Sequence, residues 1–202
     1  MTKTIYLVRH GEAKGNFEGF FQGWLDCDLT DNGILQAELL ALQLHKKEIC
    51  CVFTSPLKRA RDTAEIIAEK CLIEEVIIID ELKEFNCGLW QGLTRKEVEK
   101  ISPKEFFDFR YHPDKVKIPD GETLLQLQKR AMLGLEKILR YAKDKKNICI
   151  VAHGYLNKTM LCGISKQPLN EIVNYPQGNT AINVIKYDGE YKIIEVNNLN
   201  HL

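Results

Sequence analysis

Arg9 and His10 follow directly on an apolar run, Ile5 to Val8, and Gly11 comes next. The same pattern recurs late in the chain, where "ICIVA" runs into His153 and Gly154. Between these two points, "VFTSPLKRAR" puts Arg59 and Arg61 behind a short apolar stretch, and "VIIIDELKEF" puts Glu81 and Glu84 behind another. These residue types suit one chemistry. An arginine offers a planar fork of donors that matches phosphate oxygens. A neutral imidazole is a competent nucleophile near pH 7. A glycine beside it leaves room for a bulky substrate group. A carboxylic acid in reach can protonate a leaving oxygen and then deprotonate an incoming water. No carboxylate cluster with metal-ligand spacing accompanies them, so the expected site uses side-chain charge, with no metal and no cofactor. The residue types alone do not say which histidine attacks.

Such a site needs elements that end at one place. Strand patterns cover Lys3–Arg9, Cys50–Thr54, Glu75–Asp80 and Asn147–Ala152. A terminal pair, Ala181–Tyr187 and Tyr191–Val196, is joined by Asp188-Gly189, a hairpin signal. Helical patterns cover Thr30–Lys46, Pro56–Lys70 with a proline suited to the first turn, and Thr123–Lys143, while Thr94-x-x-Glu97 reads as a capping box. Continuous apolar strands alternating with helices predict an α/β fold, a mostly parallel sheet flanked by helices in three layers. In open sheets of this kind, sites form beyond the carboxyl ends of the strands, which is where the arginines, histidines and glutamate fall. Residues 102–120, rich in aromatics and proline, read as a less regular insertion over the active site within a single domain spanning 1–202.

The bulk properties narrow the function classes. Lys plus Arg and Asp plus Glu both number 28, so no basic excess points to nucleic acid. No apolar segment reaches the ~20 residues that span a bilayer. Arg9 interrupts the opening apolar run, which is too short for a signal peptide. The seven cysteines show neither CxxC pairs nor zinc spacing and read as reduced core thiols. The expectation is a soluble, cytoplasmic protein with no nucleic-acid or membrane partner.

"LVRHGEAKGN", Leu7 to Asn16, resembles the opening motif of the histidine phosphatase superfamily, in its phosphoglycerate mutase-like branch. The resemblance continues in order through "FQGWLDCDLTDNGILQA", "FTSPLKRARDTAEIIA", "ELKEFNCGLWQGLT", "IPDGETLLQLQKR" and "ICIVAHG", covering essentially the whole chain. It implies two-step phosphoryl transfer. His10 would attack phosphorus to form a phosphohistidine, and Arg9, Arg59 and His153 would hold the transferring group. Glu84 would be the acid and then the base. Asn16, Gln22 and Gly23, with Gly154 after the second histidine, match positions that contact the substrate. Members often dimerise, so a homodimer stays open.

The branch contains phosphatases and mutases. The glycolytic mutases are longer and carry an Arg-Arg pair that grips the substrate carboxylate; residues 102–120 offer only Arg110. Where those mutases have a tyrosine three residues after the acid, this chain has Cys87. Arg95 replaces their lysine, and Lys158 replaces an arginine common in the family. The balance favours a metal-independent phosphomonoesterase of broad specificity acting on small phosphorylated metabolites, such as a sugar phosphate, ribazole phosphate, phosphoserine or a phosphoglycerate. A cofactor-dependent phosphoglycerate mutase is the alternative, and a non-catalytic binding protein of the same fold a weaker one. Specificity candidates are Phe21, Trp24, Cys87, Arg95 and Arg110, with Phe20, Phe106, Phe107, Phe109 and Tyr111 behind them.

Overall fold

The computed structural model describes residues 2–202. Six strands form one sheet: β1 Lys3–Arg9, β2 Cys51–Thr54, β3 Val76–Ile78, β4 Asn147–Ala152, β5 Ile182–Tyr187 and β6 Tyr191–Asn198. Their spatial order is β3-β2-β4-β1-β5-β6. The pairings β3–β2, β2–β4 and β4–β1 are parallel, whereas β5 runs antiparallel to β1 and β6 to β5. The central strands carry apolar residues on both faces because both faces are covered.

Seven α-helices accompany the sheet: α1 Lys14–Glu18, α2 Asp31–His45, α3 Lys58–Cys71, α4 Arg95–Ile101, α5 Pro103–Tyr111, α6 Leu124–Tyr141 and α7 Gly154–Ile164. Alternation along β1 sorts the core into two halves. Ile5 and Leu7 join Leu127, Leu135 and Ile138 of α6 and Leu156 and Met160 of α7. Val8 joins Leu40 and Leu44 of α2 and Ala60, Ala64 and Ile67 of α3 on the other face. The result is the expected three-layer arrangement.

Register is what assembles the site. Arg9 pairs with Ala152, so the next residues, His10 and His153, leave the sheet side by side. Thr54 pairs with Val151 and with Ile78, which brings the starts of the β2–α3 and post-β3 connections to the same edge.

Several elements differ from the sequence reading. Helix α3 begins at Lys58, with Leu57 still extended as its N-cap, so Pro56 lies outside the first turn. The Ser55 hydroxyl accepts the Leu57 amide and holds this bend out of β2. Strand β3 ends at Ile78, because Asp80–Leu82 forms a 3-10 turn. Residues 102–120 are not irregular throughout: α5 occupies Pro103–Tyr111, with the proline at its start, where a missing N–H costs nothing. The capping box at Thr94 and Glu97 is present, and a second joins Thr123 to Gln126. All seven cysteines are free, but Cys50 is exposed rather than a core thiol. No helix among the described residues is long and apolar enough to cross a membrane.

Candidate active site

His10 is 2% exposed and tied down at every backbone group. Its N–H donates to the Ala152 carbonyl at 3.0 Å, and its carbonyl accepts from the Thr180 amide and from Asn179 Nδ2, both at 3.2 Å. Ring Nδ1 lies 2.7 Å from the Gly11 carbonyl. A carbonyl only accepts, so Nδ1 carries the proton and Nε2 keeps its lone pair. Arg59 Nε donates to that Nε2 at 3.2 Å. Burial pushes the His10 pKa well below its ordinary value, and the Arg59 and Arg9 charges push it further. The imidazole is therefore neutral and nucleophilic at neutral pH.

Gly11 has a packing reason of its own. A Cβ there would strike the Gly33 carbonyl, where the loop after β1 crosses the first turn of α2. Thr30 caps that helix by accepting the Gly33 amide at 3.0 Å.

Arg59 is 1% exposed. Its other two nitrogens donate to the Leu25 and Gly23 carbonyls at 2.9 Å, which fastens the 23–25 loop to α3. Arg9 donates through Nη1 to the Gln177 carbonyl at 2.7 Å. The Gln177 side chain is locked in turn by Asn183 and Asn157, and Asn183 bonds back to the Leu7 carbonyl of β1. His153 is fully buried at the N-cap of α7, its ring centroid 5.2 Å from that of His10. Burial, then the nearby Arg59 charge, pushes its pKa well below ordinary as well.

Glu84 is held by three amides. Oε1 accepts from Phe85 at 2.8 Å and Leu156 at 3.1 Å, and Oε2 from Tyr155 at 3.2 Å. The last two donors are first-turn amides of α7, which otherwise lack partners. The segment behind Glu84 is clamped by Arg130. Its guanidinium donates to the Glu81, Lys83 and Glu84 carbonyls at 2.9, 2.7 and 3.1 Å and pairs with Glu122 at 2.5 Å. Glu122 also accepts the Asn86 amide, so the ion pair grips the chain on both sides of Glu84.

Three buried nitrogens here have no partner among the described residues: Arg9 Nε and both ring nitrogens of His153. Leaving such groups unpaired costs about 1–3 kcal/mol each. Two buried guanidiniums also face a single nearby carboxylate. Both facts call for an anionic oxygen-rich ligand. Among the described residues no three His, Cys, Asp or Glu side chains are placed to hold a metal ion. Arg9 and Arg59 bring positive charge to the site.

A cavity of about 500 Å³ opens onto this cluster. Arg9, His10, Asn16, Gln22, Gly23, Arg59 and Glu84 all line it, as do the specificity candidates Phe21, Cys87 and Arg95. Asn16 Oδ1 accepts the Ala13 amide at 3.1 Å, fixing the start of α1. Gly23 has φ +50°, a conformation that suits glycine, and a Cβ there would strike Gln91. Burial pushes the Cys87 thiol pKa up strongly, so it contributes shape and not charge.

Four predicted site residues are not part of this lining: His153, fully buried behind it, and Gly154, Trp24 and Arg110. Gly154 opens α7, where an added Cβ would come into van der Waals contact with Arg9 and Glu84, and it does not line the cavity. Trp24 lies outside it and donates its indole N–H to the Glu84 carbonyl at 2.7 Å. Arg110 lines an adjoining cavity instead. Sequence reasoning passed over Tyr155, Gln177, Asn183, Glu122 and Arg130. Only the last two carried a signal, since both lie in the "GETLLQLQKR" block.

The model of the histidine phosphatase superfamily (branch 1) matches residues 5–200. The chain belongs to this family. A metal-independent phosphoserine phosphatase of Arabidopsis thaliana is 39% identical over 178 residues, 84% of this chain and 74% of its own. A 2,3-bisphosphoglycerate-dependent phosphoglycerate mutase of Cytophaga hutchinsonii is 30% identical over 201 residues, 98% of this chain and 92% of its own. Among solved structures, YhfR of Bacillus stearothermophilus superimposes with a TM-score of 0.92 at 31% identity over 98% of each chain. A mutant phosphoserine phosphatase of Entamoeba histolytica, solved in complex with phosphoserine, gives 0.87 at 29% identity over 99% of each. The histidine phosphatase fold is thus the phosphoglycerate mutase-like architecture that the strand order already described.

Proposed function

We propose that this histidine phosphatase is a phosphomonoesterase that hydrolyses small phosphorylated metabolites through a phosphohistidine on His10. The observation that carries the reading is the state of His10: neutral, its Nδ1 proton fixed on Gly11, its Nε2 aimed into a cavity walled by arginines. In the first step Nε2 attacks phosphorus in line, and the bond to the ester oxygen breaks. Arg9 Nε, Arg59 Nε and His153 meet the equatorial oxygens, so the Arg59 Nε–H changes its hydrogen-bond partner from His10 Nε2 to a phosphoryl oxygen and keeps its proton. Glu84 supplies the proton that the leaving alkoxide needs. In the second step Glu84 takes a proton from water, the hydroxide attacks phosphorus, and the P–N bond breaks to release phosphate and neutral His10. Fixed dipoles and charges aimed at the transferring oxygens supply most of the rate.

The relatives named as phosphoserine phosphatases, and the solved phosphoserine complex, favour a small charged monoester as substrate. The mutase relative favours the second reading. Against that reading, Cys87 stands in the cavity wall, and no Arg-Arg pair exists in 102–120.

Phosphorus NMR in EDTA separates the two. The sample holds phosphoserine or 3-phosphoglycerate with a trace of 2,3-bisphosphoglycerate. Inorganic phosphate without isomer is the expected outcome, and 2-phosphoglycerate without phosphate overturns it. Quenching a Glu84→Gln reaction in alkaline detergent should trap a phosphoprotein that is stable to base and lost on acid treatment.

A further inference from the structure

A second cavity, of about 310 Å³, adjoins the catalytic one. Arg95, Phe109 and Tyr155 line both, so they form the wall that the two share. Beyond them the second cavity is cationic. Arg95, Lys96, Arg110 and Lys158 face it, against the single carboxylate of Glu99. None of the four cations makes a salt bridge or side-chain hydrogen bond among the described residues, unlike Lys58, Arg130 and Lys137 elsewhere on the molecule.

Lys158 is the informative member. It lies one turn along α7 from Gly154, with Nζ 5.4 Å from the centroid of the Tyr155 ring. Burial lowers its pKa, and Arg9 lowers it further. An ammonium kept in such a place without a carboxylate partner is poorly compensated unless an anion arrives. Buried Phe106 and Ile172, with the exposed Val173, give the cavity an apolar share of its lining, which suits the carbon skeleton of a ligand.

We infer that this second cavity is a distal anion subsite, and that the preferred substrates are phosphomonoesters carrying a further phosphate or carboxylate at the end remote from the scissile group. The proposal rests on the phosphomonoesterase reading. The scissile phosphoryl sits on His10, the carbon chain passes Phe109 and Tyr155, and the remote anion meets Lys158 and Arg110. A short substrate such as a three-carbon monoester fills only the catalytic cavity.

The test is a homologous series of alkanediol monophosphates, the matching bisphosphates, and ω-phosphooxy carboxylates, assayed by phosphate release. At the chain length that bridges the cavities, a doubly anionic ester should show a KM about tenfold below that of its monophosphate, the worth of one charge-assisted hydrogen bond. Comparing bisphosphate with carboxylate identifies which anion is taken. Lys158→Met should erase this advantage, read as the ratio of the two KM values within the same variant. Arg110→Gln, at an exposed position that tolerates substitution, should reduce it. An equal KM for singly and doubly charged esters, or an advantage that survives both substitutions, overturns the subsite. Monophosphate hydrolysis that His10→Ala abolishes keeps the phosphatase reading intact in either case. If no ester in the series is hydrolysed, the phosphatase reading fails and takes the subsite with it.

Discussion

The two ends of the joined cavities are built in opposite ways. At the inner end the polar groups are buried or half-buried and each is held in place: Arg59 by two loop carbonyls, Arg9 by the Gln177 carbonyl, Glu84 by three amides, His10 by Gly11. At the outer end Arg95, Lys96 and Arg110 are exposed and unpaired. Preorganised donors cost no reorganisation when charge develops, so they act on the transition state. Mobile surface cations act on binding and are screened by salt. The inner end should therefore govern kcat and the outer end KM.

The sharpest way to break this division is at His10, the proposed nucleophile. His10→Ala should lower phosphate release by at least ~10³-fold, more than the ~10²–10³ that loss of one aimed donor costs. Its circular dichroism should stay native. Wild-type turnover in this variant would end the mechanism. Arg59→Met comes next, with kcat down ~10²–10³-fold. It also strands the Gly23 and Leu25 carbonyls, at about 1–3 kcal/mol each, so a lowered denaturation midpoint should accompany the kinetic loss.

Much of the inner end was legible in the sequence because it hangs on strand ends. Ile5–Val8 and Ile148–Ala152 are continuous apolar runs, and the residues after them could only emerge at the sheet edge. What was not legible depends on pairing across distance. Nothing local marks Gln177 as the support for Arg9, since the two are brought together by β1–β5 pairing and by Asn183. Helix α7 escaped notice because Asn157 and Thr159 are buried in it, blurring the apolar stripe. Helix α5 escaped because its aromatics are split, Phe106 inward and Phe107 outward, within two turns of chain. Arg110, the single arginine in 102–120, is a specificity candidate by sequence; α5 places it at the second cavity and not at the one that holds His10.

Burial of the two histidines predicts a pH effect confined to the inner end. Both have folded-state pKa values below the unfolded one, so the unfolded chain binds more protons in that window. Stability is full above the unfolded pKa of about 6.5 and is lost as pH falls below it, at about 1.4 kcal/mol per pH unit for each histidine. Denaturant midpoints between pH 7 and pH 5 should show this slope. It should flatten in the double variant His10→Gln, His153→Gln. An unchanged slope would mean the two rings titrate normally in the fold.

Arg130 tests whether the inner end's precision extends to its backing. The residue touches backbone and Glu122, not the cavity, and is a positioning residue for Glu84. Arg130→Met should cost about tenfold in kcat on alkyl phosphates, the lower end of what general acid catalysis supplies being ~10². On p-nitrophenyl phosphate, whose leaving group needs no proton, the loss should be slight. A purely structural role would reduce both substrates equally.

The smallest expected effect lies at Arg95, where the two regions meet. Its side chain is exposed and unpaired, so its attraction for a substrate anion is that of a surface ion pair, roughly 0.2–1 kcal/mol. Arg95→Gln should therefore raise KM by only about 1.4- to 5-fold, with kcat unchanged. The difference from wild type should shrink as salt rises, because added ions shorten the range over which an exposed charge acts. The buried arginines should show no such salt dependence. If Arg95→Gln instead lowers kcat, and does so independently of salt, then Arg95 reaches the transferring phosphoryl group. The boundary between the rigid end and the adaptable end would then lie one residue further out, at Lys158 and Arg110.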